Sequence, residues 1–496
     1  MRKSLEVVSL IVFILVTIAV VMGGTYALNG WFVDMAAGTG VWASICTGIV
    51  ASQLINIIVL LLLFVMIIAT LLTLAERKWS AMMQDRLGPN RARIGLPGIK
   101  NRALGGLPHV AADSLKMLFK EDFMPEGANK VLFTLGPILA FAPVFALFAV
   151  VPAGPSVNVF GHPVNMVIAN PDFGILFVLA IASLAVYGTA LAGWSSNNKF
   201  ALLGGVRATS QMISYEVALG LSLVGAMIAF STVQLPQMVE AQGTYLWSGM
   251  IGNLDLGIQS WGILLQPVGF VLFFAAAFAE TKRAPFDVPE GEAEIIGYFL
   301  EYSGMKFGMF MISEFVEVVV LSGIVVVVFL GGYHLGSFDH ALSSVPFLRA
   351  NGWLLGAIYG TVFWVKVILL CWVQLSVRWT FPRFRYDQIQ ALGWKMLLPA
   401  GLLNLFVSAA LILADPSLHW LAIVGAVEIA IVVALTLTTK SPVQSAIASH
   451  GGHGGHGHDV PAGLQPHGAG HGAGTHEPTS PPLQPVIPGA AASPSH

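Results

Sequence analysis

Apolar and polar positions segregate along this chain into long blocks. Uninterrupted apolar runs lie near 5–22, 50–74, 131–151, 173–194, 211–230, 262–280, 305–330, 355–375, 396–414 and 418–438, with polar stretches between them. Each run is close to the roughly 20 residues that carry an α-helix across a hydrocarbon core. The pattern predicts ten helical spans. One polar stretch has a finer period. In LPHVAADSLKMLFKEDFMP, Val110, Leu115, Leu118 and Phe119 recur at helical spacing, with Asp113, Lys116 and Lys120 on the other faces. That arrangement predicts a short amphipathic helix lying along the membrane surface.

Composition agrees with the spans. The chain is 56% hydrophobic and 10% charged, against about 25% charged in soluble domains, so the fold class is an all-α polytopic membrane protein. Threading ten spans with the N-terminus in the cytoplasm puts 22 of the 24 Lys and Arg residues on the cytoplasmic side, ten of them between Glu76 and Lys130. Cationic loops favour that side, so both termini are expected there. The first run, MRKSLEVVSLIVFILVTIAVVMGG, has the basic start and apolar body of a signal peptide, but the nearest cleavage candidate, Thr25-Tyr26-Ala27, is weak. It reads as an uncleaved span.

Several chemistries are excluded. Two cysteines, Cys46 and Cys371, cannot supply a four-cysteine cluster or a CxxC zinc site, and no G-x-G-x-x-G opens a helix after a strand-like run. Any redox role leaves the nicotinamide site and the metal clusters to other chains. No internal repeat is evident, against transporters built from inverted halves. From about Ser441 the chain is Gly, Pro, Ala and His, with eight of the thirteen histidines between His450 and His496. A disordered tail without an assigned metal site is expected.

The informative residues are charges inside apolar runs, each costing at least ~2.5–3.5 kcal/mol near a span centre. They are Glu216, Glu314, Glu317, Lys366 and Glu428. Glu314 and Glu317 are three apart and share a helix face. Coupled carboxylates there suit proton handling; the plainer alternative is a polar group tied to a neighbouring helix. The stretch AETKRAPFDVPEGEAE adds Glu280, Asp287, Glu290, Glu292 and Glu294. Asp287 and Glu290 have capping-box spacing and predict a helix start, which leaves Glu280, Glu292 and Glu294 unexplained. From Glu280 to Glu317, eight acids, including Glu301, face three bases, Lys282, Arg283 and Lys306. Two basic loops, AERKWSAMMQDRLGPNRARIG and VRWTFPRFRYDQIQALGWKMLLP, set guanidinium groups beside aromatic rings. They suit the lining of a polar mouth or docking on an acidic partner; a merely solvated face is the alternative.

LAERKWSAMMQDRLGPNR, ADSLKMLFKED, GWSSNNKFALLGGVRATSQMISYEVALGLSL, AETKRAPFDVPEGEAE, EYSGMKFGMF and PRFRYDQIQALGWKMLLP occur in order between about residues 52 and 414. Together they resemble the NuoH-like subunit (subunit 1 of the mitochondrial enzyme) of respiratory complex I, the proton-translocating NADH:quinone oxidoreductase. The resemblance implies an eight-helix core at 49–415, with an extra transmembrane helix in 1–48, another in 416–440 and the tail at 441–496. It implies a multi-pass bacterial inner-membrane subunit forming part of a quinone chamber and of an acidic route from quinone reduction to proton translocation. It further implies no flavin or iron–sulfur cluster in this chain, no complete active site, and partners among the hydrophilic-arm and antiporter-like subunits and membrane lipid, with no nucleic acid. The corresponding subunit of a ferredoxin-, deazaflavin- or hydrogen-linked complex is the alternative, and a stand-alone ion transporter a remote one.

Carried over by motif, Arg77, Gln84, Arg86, Pro89, Asn90 and Arg91 belong to the first cytoplasmic loop, with Asp113 and Lys116 on its surface helix. Arg283, Phe286, Asp287, Glu290, Glu292 and Glu294 belong to the acidic quinone-side loop. Glu216, Glu280 and Glu314 match buried glutamates of the proton route, on which Glu290, Glu292, Glu294, Glu301, Glu317 and Lys366 are also expected. Arg378, Arg383, Arg385, Tyr386 and Asp387 frame the last loop. The chain departs from the family pattern at His109 and Val110, where Gln and Pro are usual, and at Lys282, where Asn is usual. It also departs at Phe315, where Tyr is common, at Glu317, where a neutral residue is usual, and by one residue missing between Glu294 and Glu301.

Overall fold

The computed structural model describes residues 2–37, 53–92, 94–96, 99–102, 106–159, 162–247, 250–251, 254–255, 257–289, 295 and 297–438. Glu290, Glu292, Glu294, Cys46 and the histidine-rich tail lie outside them. Met1–Ala434 forms one compact unit; of the second, Leu435–His496, only the helix end through Thr438 is described.

Every apolar run is helical. The helices are α1 (Arg2–Ala37), α2 (Met66–Met83, entered through π-helical turns at Ile57–Val65), α3 (Leu107–Phe119), α4 (Lys130–Phe148), α5 (Gly174–Ser195) and α6 (Lys199–Phe230). There follow α7 (Pro267–Glu280), α8 (Gly304–Phe329), α9 (Gly352–Thr380), α10 (Leu398–Ala414) and α11 (His419–Thr438). Among the described residues, eight helical stretches are long and apolar enough to cross a membrane, and Pro267–Glu280 and His419–Ala434 are shorter apolar helices. The amphipathic stretch predicted from its spacing is α3. Its apolar residues Leu115, Leu118 and Phe119 are exposed, as a face turned to lipid or to a partner would be. Short two-stranded hairpins, such as Val157–Val159 with His162–Val164, occupy the loops.

Without water to drive apolar faces together, helices in a membrane associate through close packing that small residues permit. Gly193 of α5 lies against Ala201 and Gly205 of α6, and Gly188 of α5 lies on the backbone of Ala140 of α4. Met22 and Tyr26 of α1 are buried against Gly360 and Gly356 of α9, and the Tyr26 hydroxyl donates to the Pro155 carbonyl at 2.9 Å. Thr25-Tyr26-Ala27 therefore lies inside a packed helix. The most enclosed helix is α8, with 94% of its apolar window buried; it packs on α2, α4 and α9, while α6 packs on α5, α7 and α10. A charge on α8 thus faces protein, where a partner can meet it.

Asp287 does not start a helix. Val288 and Pro289, the first positions of the expected helix, are non-helical. The Asp287 carboxylate, only 3% exposed, instead faces the Arg383 guanidinium at 3.1 Å. A buried carboxylate is better compensated by a cation than by amide dipoles.

Candidate functional site

The site is built on the turn that ends α7. Lys282 adopts a left-handed conformation (φ 54°), which terminates the helix. Gln211 of α6 fastens the chain beyond it, its Nε2 donating to the carbonyls of Ala279 at 2.7 Å and Phe286 at 2.8 Å. Phe286 is held between Tyr215 and Phe384, at 5.6 and 5.4 Å between centroids, and the Phe384 N–H donates to the Pro285 carbonyl at 3.0 Å.

So fastened, the turn drives Arg283 into the protein. Its guanidinium lies 2.6 Å from Glu76 and 3.5 Å from Glu314, and sits 3.7 Å from the centre of the Phe315 ring. Arg378 of α9 reaches the other oxygen of Glu76 at 2.9 Å, and the Tyr298 hydroxyl donates to Glu314 at 3.5 Å. Lys282 points to Glu317 instead, at 3.7 Å, with both side chains 6% exposed. These are two of the positions at which the sequence is expected to depart from the family pattern, and they are partners. Glu280 is 3% exposed and within electrostatic reach of Glu317, Lys282 and the partly buried Glu216.

Beside a small void of about 20 Å³ against Arg283 and Arg378, two larger cavities adjoin this network. One, of about 500 Å³, is lined by Glu76, Arg77, Ser80, Arg86, Gly88, Pro89, Asn90, Arg91, His109 and Trp379. The other, of about 240 Å³, is an apolar slot between α2, α3 and α8, walled by Thr70, Thr73, Val110, Met117, Leu118, Met311 and Phe315, with Glu76, Arg77 and Asp113 at its polar edge. Glu76 and Arg77 border both. Arg77 donates to Asp113 at 2.6 Å, and Lys116 lies 3.8 Å from the same carboxylate. His109 accepts the Ala92 N–H at 3.0 Å, tying α3 to the basic loop. Gly106, at φ 99°, starts α3 where a Cβ would lie 2.7 Å from the Pro89 carbonyl, so the close approach that shapes the larger cavity requires glycine.

The remaining expected residues lie elsewhere. Gln84 accepts from Arg86 at 2.6 Å outside the cavity lining, and Arg385 and Asp387 pair with each other at 3.3 Å on the surface. Tyr386 meets Ser210 of α6 at 3.0 Å. Glu301 accepts from Asn198 at 2.6 Å, beside Tyr302, whose hydroxyl burial pushes up to about 12 against the opposing hydrogen bond with Ser195. Lys366 sits at the far end of α8, its Nζ donating to the carbonyls of Leu330, Gly332 and His334 at 2.7, 3.0 and 2.6 Å and lying 4.5 Å from the centre of the Trp261 ring. Glu428 is partly buried on α11. Three residues at the centre of the network, Glu76, Gln211 and Tyr298, are not among those that the sequence singles out. Glu76 lies on α2 at the head of a basic stretch, and an acid between an apolar run and the five cations of that stretch is the available signal.

The family model described as NADH dehydrogenase matches residues 55–409, leaving α1 and α11 outside the match. The chain is similar to the NADH-quinone oxidoreductase H subunit 2 of Syntrophobacter fumaroxidans, 40% identical over 361 residues that cover 73% of this chain and 96% of that protein. It is similar to the H subunit 1 of Cytophaga hutchinsonii at 37% over 355 residues, covering 70% and 93%. To the H subunit of Flavobacterium psychrophilum it is 38% identical over 358 residues, covering 72% and 96%. The ion network, the slot and the ten apolar helices thus sit in a chain that belongs to the NADH dehydrogenase family, among the membrane-embedded H subunits of NADH-quinone oxidoreductase, respiratory complex I.

Proposed function

We propose that this chain forms part of the quinone chamber of a proton-translocating NADH:quinone oxidoreductase and begins the acidic route that links quinone reduction to proton movement. The observation that carries the reading is the position of Glu76. It borders both the apolar slot and the polar cavity, and it shares Arg283 with Glu314, a carboxylate buried inside the bundle. The slot suits an isoprenoid tail, and the guanidinium-lined cavity suits the carbonyl oxygens of a quinone head group. The orientation expected from the cations sets the cavity on the cytoplasmic side, facing hydrophilic-arm subunits that carry flavin and iron–sulfur clusters.

The coupling step is a change of partners at Arg283. Reducing a quinone draws protons and places charge beside Glu76. When Glu76 is neutralised or engaged by the quinol, its hold on Arg283 loosens and the guanidinium settles on Glu314. Protons then redistribute among Glu314, Glu280 and Glu216 towards the antiporter-like subunits. Glu314→Gln and Glu216→Gln should each lower quinone-linked NADH oxidation and proton pumping in membrane vesicles, while NADH oxidation by a soluble artificial acceptor continues. Unaltered pumping and turnover in both variants, with normal assembly, would overturn the reading.

A further inference from the structure

The buried carboxylates and the cations facing them fall into two groups that balance differently, with Arg383 half-exposed in the first. Around Arg283, three guanidinium groups (Arg283, Arg378 and Arg383) face three carboxylates (Glu76, Glu314 and Asp287). At the next position of the turn, one ammonium faces two carboxylates. Lys282 is 3.7 Å from Glu317 and 3.8 Å from the sulfur of Met212, and Glu280 lies in the same electrostatic neighbourhood. Among the described residues, the Oε2 of Glu280 is buried without a hydrogen-bond partner.

The backbone at Lys282 sharpens this asymmetry. A left-handed residue after a helix is ordinarily Gly, which has no Cβ to crowd the backbone carbonyl, or Asn, whose side chain bonds locally. At φ 54°, Lys282 instead sends a charged amine into a site where it is 6% exposed. Burying that amine is tolerable only beside an anion. With Glu317 taken as that anion, Glu280 remains as a second carboxylate with nothing opposite it. The other charges facing the group are Glu216 from α6, Arg283 from the turn and Glu314 from α8, and Arg283 is committed to Glu76 and Glu314. Among the described residues, the compensation left for the surplus negative charge is a proton.

We propose that Glu280, Lys282 and Glu317 form a single proton-binding site, in which the two carboxylates share one proton beside the Lys282 ammonium. Lys282 and Glu317 are then a matched pair of positioning residues that set the charge on Glu280. This deepens the proposed acidic route and rests on it for its purpose, but the stoichiometry of the site can be measured without reference to coupling.

The test is infrared spectroscopy of the assembled, oxidised complex at neutral pH, reading the protonated-carboxyl band that shifts on exchange into heavy water. Charge balance in the site predicts one protonated carboxyl in the native chain. It predicts none in Glu317→Gln, where the ammonium faces Glu280 alone. It predicts two in Lys282→Asn and one again in the Lys282→Asn/Glu317→Gln double variant. Quinone-linked turnover should fall in each single variant and recover in the double variant. An unchanged band in Glu317→Gln, or a double variant that regains neither band nor turnover, would overturn the proposal. Glu317→Gln and the double variant decide it even where Lys282→Asn fails to assemble. If Glu314→Gln leaves pumping intact while the band pattern holds, the coupling route fails and the proton site stands.

Discussion

Arg283 and Glu76 meet at 2.6 Å although 207 positions separate them in the chain. The contact joins the turn after α7 to the end of α2, and both side chains are largely buried, at 7% and 15% exposure. Such a pair contributes little net stability when intact, since desolvation offsets most of the attraction, but breaking it strands a charge at a cost of about 3–5 kcal/mol. Arg283→Met should therefore leave the buried Glu314 without a cation, only the Tyr298 hydroxyl facing it, and leave Glu76 to Arg378 alone, and should remove most of the subunit from assembled complexes on native gels. Arg283→Lys keeps the charge but cannot span two carboxylates with one planar fork. It should assemble and lose most quinone-linked turnover. Full turnover in Arg283→Lys would show that the bridge is structural only.

The Arg77–Asp113 pair makes the opposite prediction. It is as short, at 2.6 Å, but 54% and 30% exposed, and solvent-screened pairs are worth roughly 0–1 kcal/mol. Asp113→Asn should leave assembly and thermal stability unchanged within measurement error. Because Arg77 borders both cavities and Asp113 the slot, the variant should raise the KM for quinone several-fold while holding kcat. A lowered melting temperature with an unaltered KM would contradict this.

The contrast shows which part of the molecule is legible in the sequence. Apolar run length predicts ten helical spans; among the described residues all ten runs are helical, eight of them long enough to cross a membrane and two shorter, because an apolar segment has few alternatives to a helix once water is absent. The helical period likewise predicts α3. Charges inside runs point to Glu216, Glu314 and Glu317, since burying them without a role is costly. Which base meets which acid is not legible. Glu317 finds Lys282 and Glu314 finds Arg283 only because Gln211 clasps Ala279 and Phe286, a contact across 68 and 75 positions. Asp287 illustrates the same limit. Local spacing offers it a helix to cap, and tertiary structure offers it Arg383 at 3.1 Å, which prevails.

Lys366 is expected on the proton route, and its surroundings suggest a different test. Three backbone carbonyls, that of Leu330 at the cap of α8 and those of Gly332 and His334 in the loop beyond it, accept from its ammonium, satisfying backbone groups that burial would otherwise leave unpaired. Lys366→Met should leave those carbonyls unpaired at about 1–3 kcal/mol for each one that stays dry. The expected result is a lowered melting temperature of the complex with an unchanged number of protons pumped per NADH oxidised. A lowered pumping ratio at normal stability would instead place Lys366 on the route.

The loop that Lys366 braces carries its own acid sensitivity. Burial alone would raise the Asp339 carboxyl, but hydrogen bonds with His334, Gln259 and the Leu335 N–H, joined by the nearby His334, hold it below its ordinary value. A group whose folded value is depressed contributes stability that is fully present above its unfolded value, near 3.9. That stability is lost as pH falls through the folded one. Residues 331–339 should therefore hold their amide protection unchanged from neutral pH down to the ordinary aspartate range, and lose it only below that range. In Asp339→Asn the charge-assisted bonds to His334 and Leu335 are weakened at every pH. Exchange of the Leu335 amide should then be faster at neutral pH and respond less to acid. Native-like protection at Leu335 in that variant would show that the loop is held by Lys366 and packing alone.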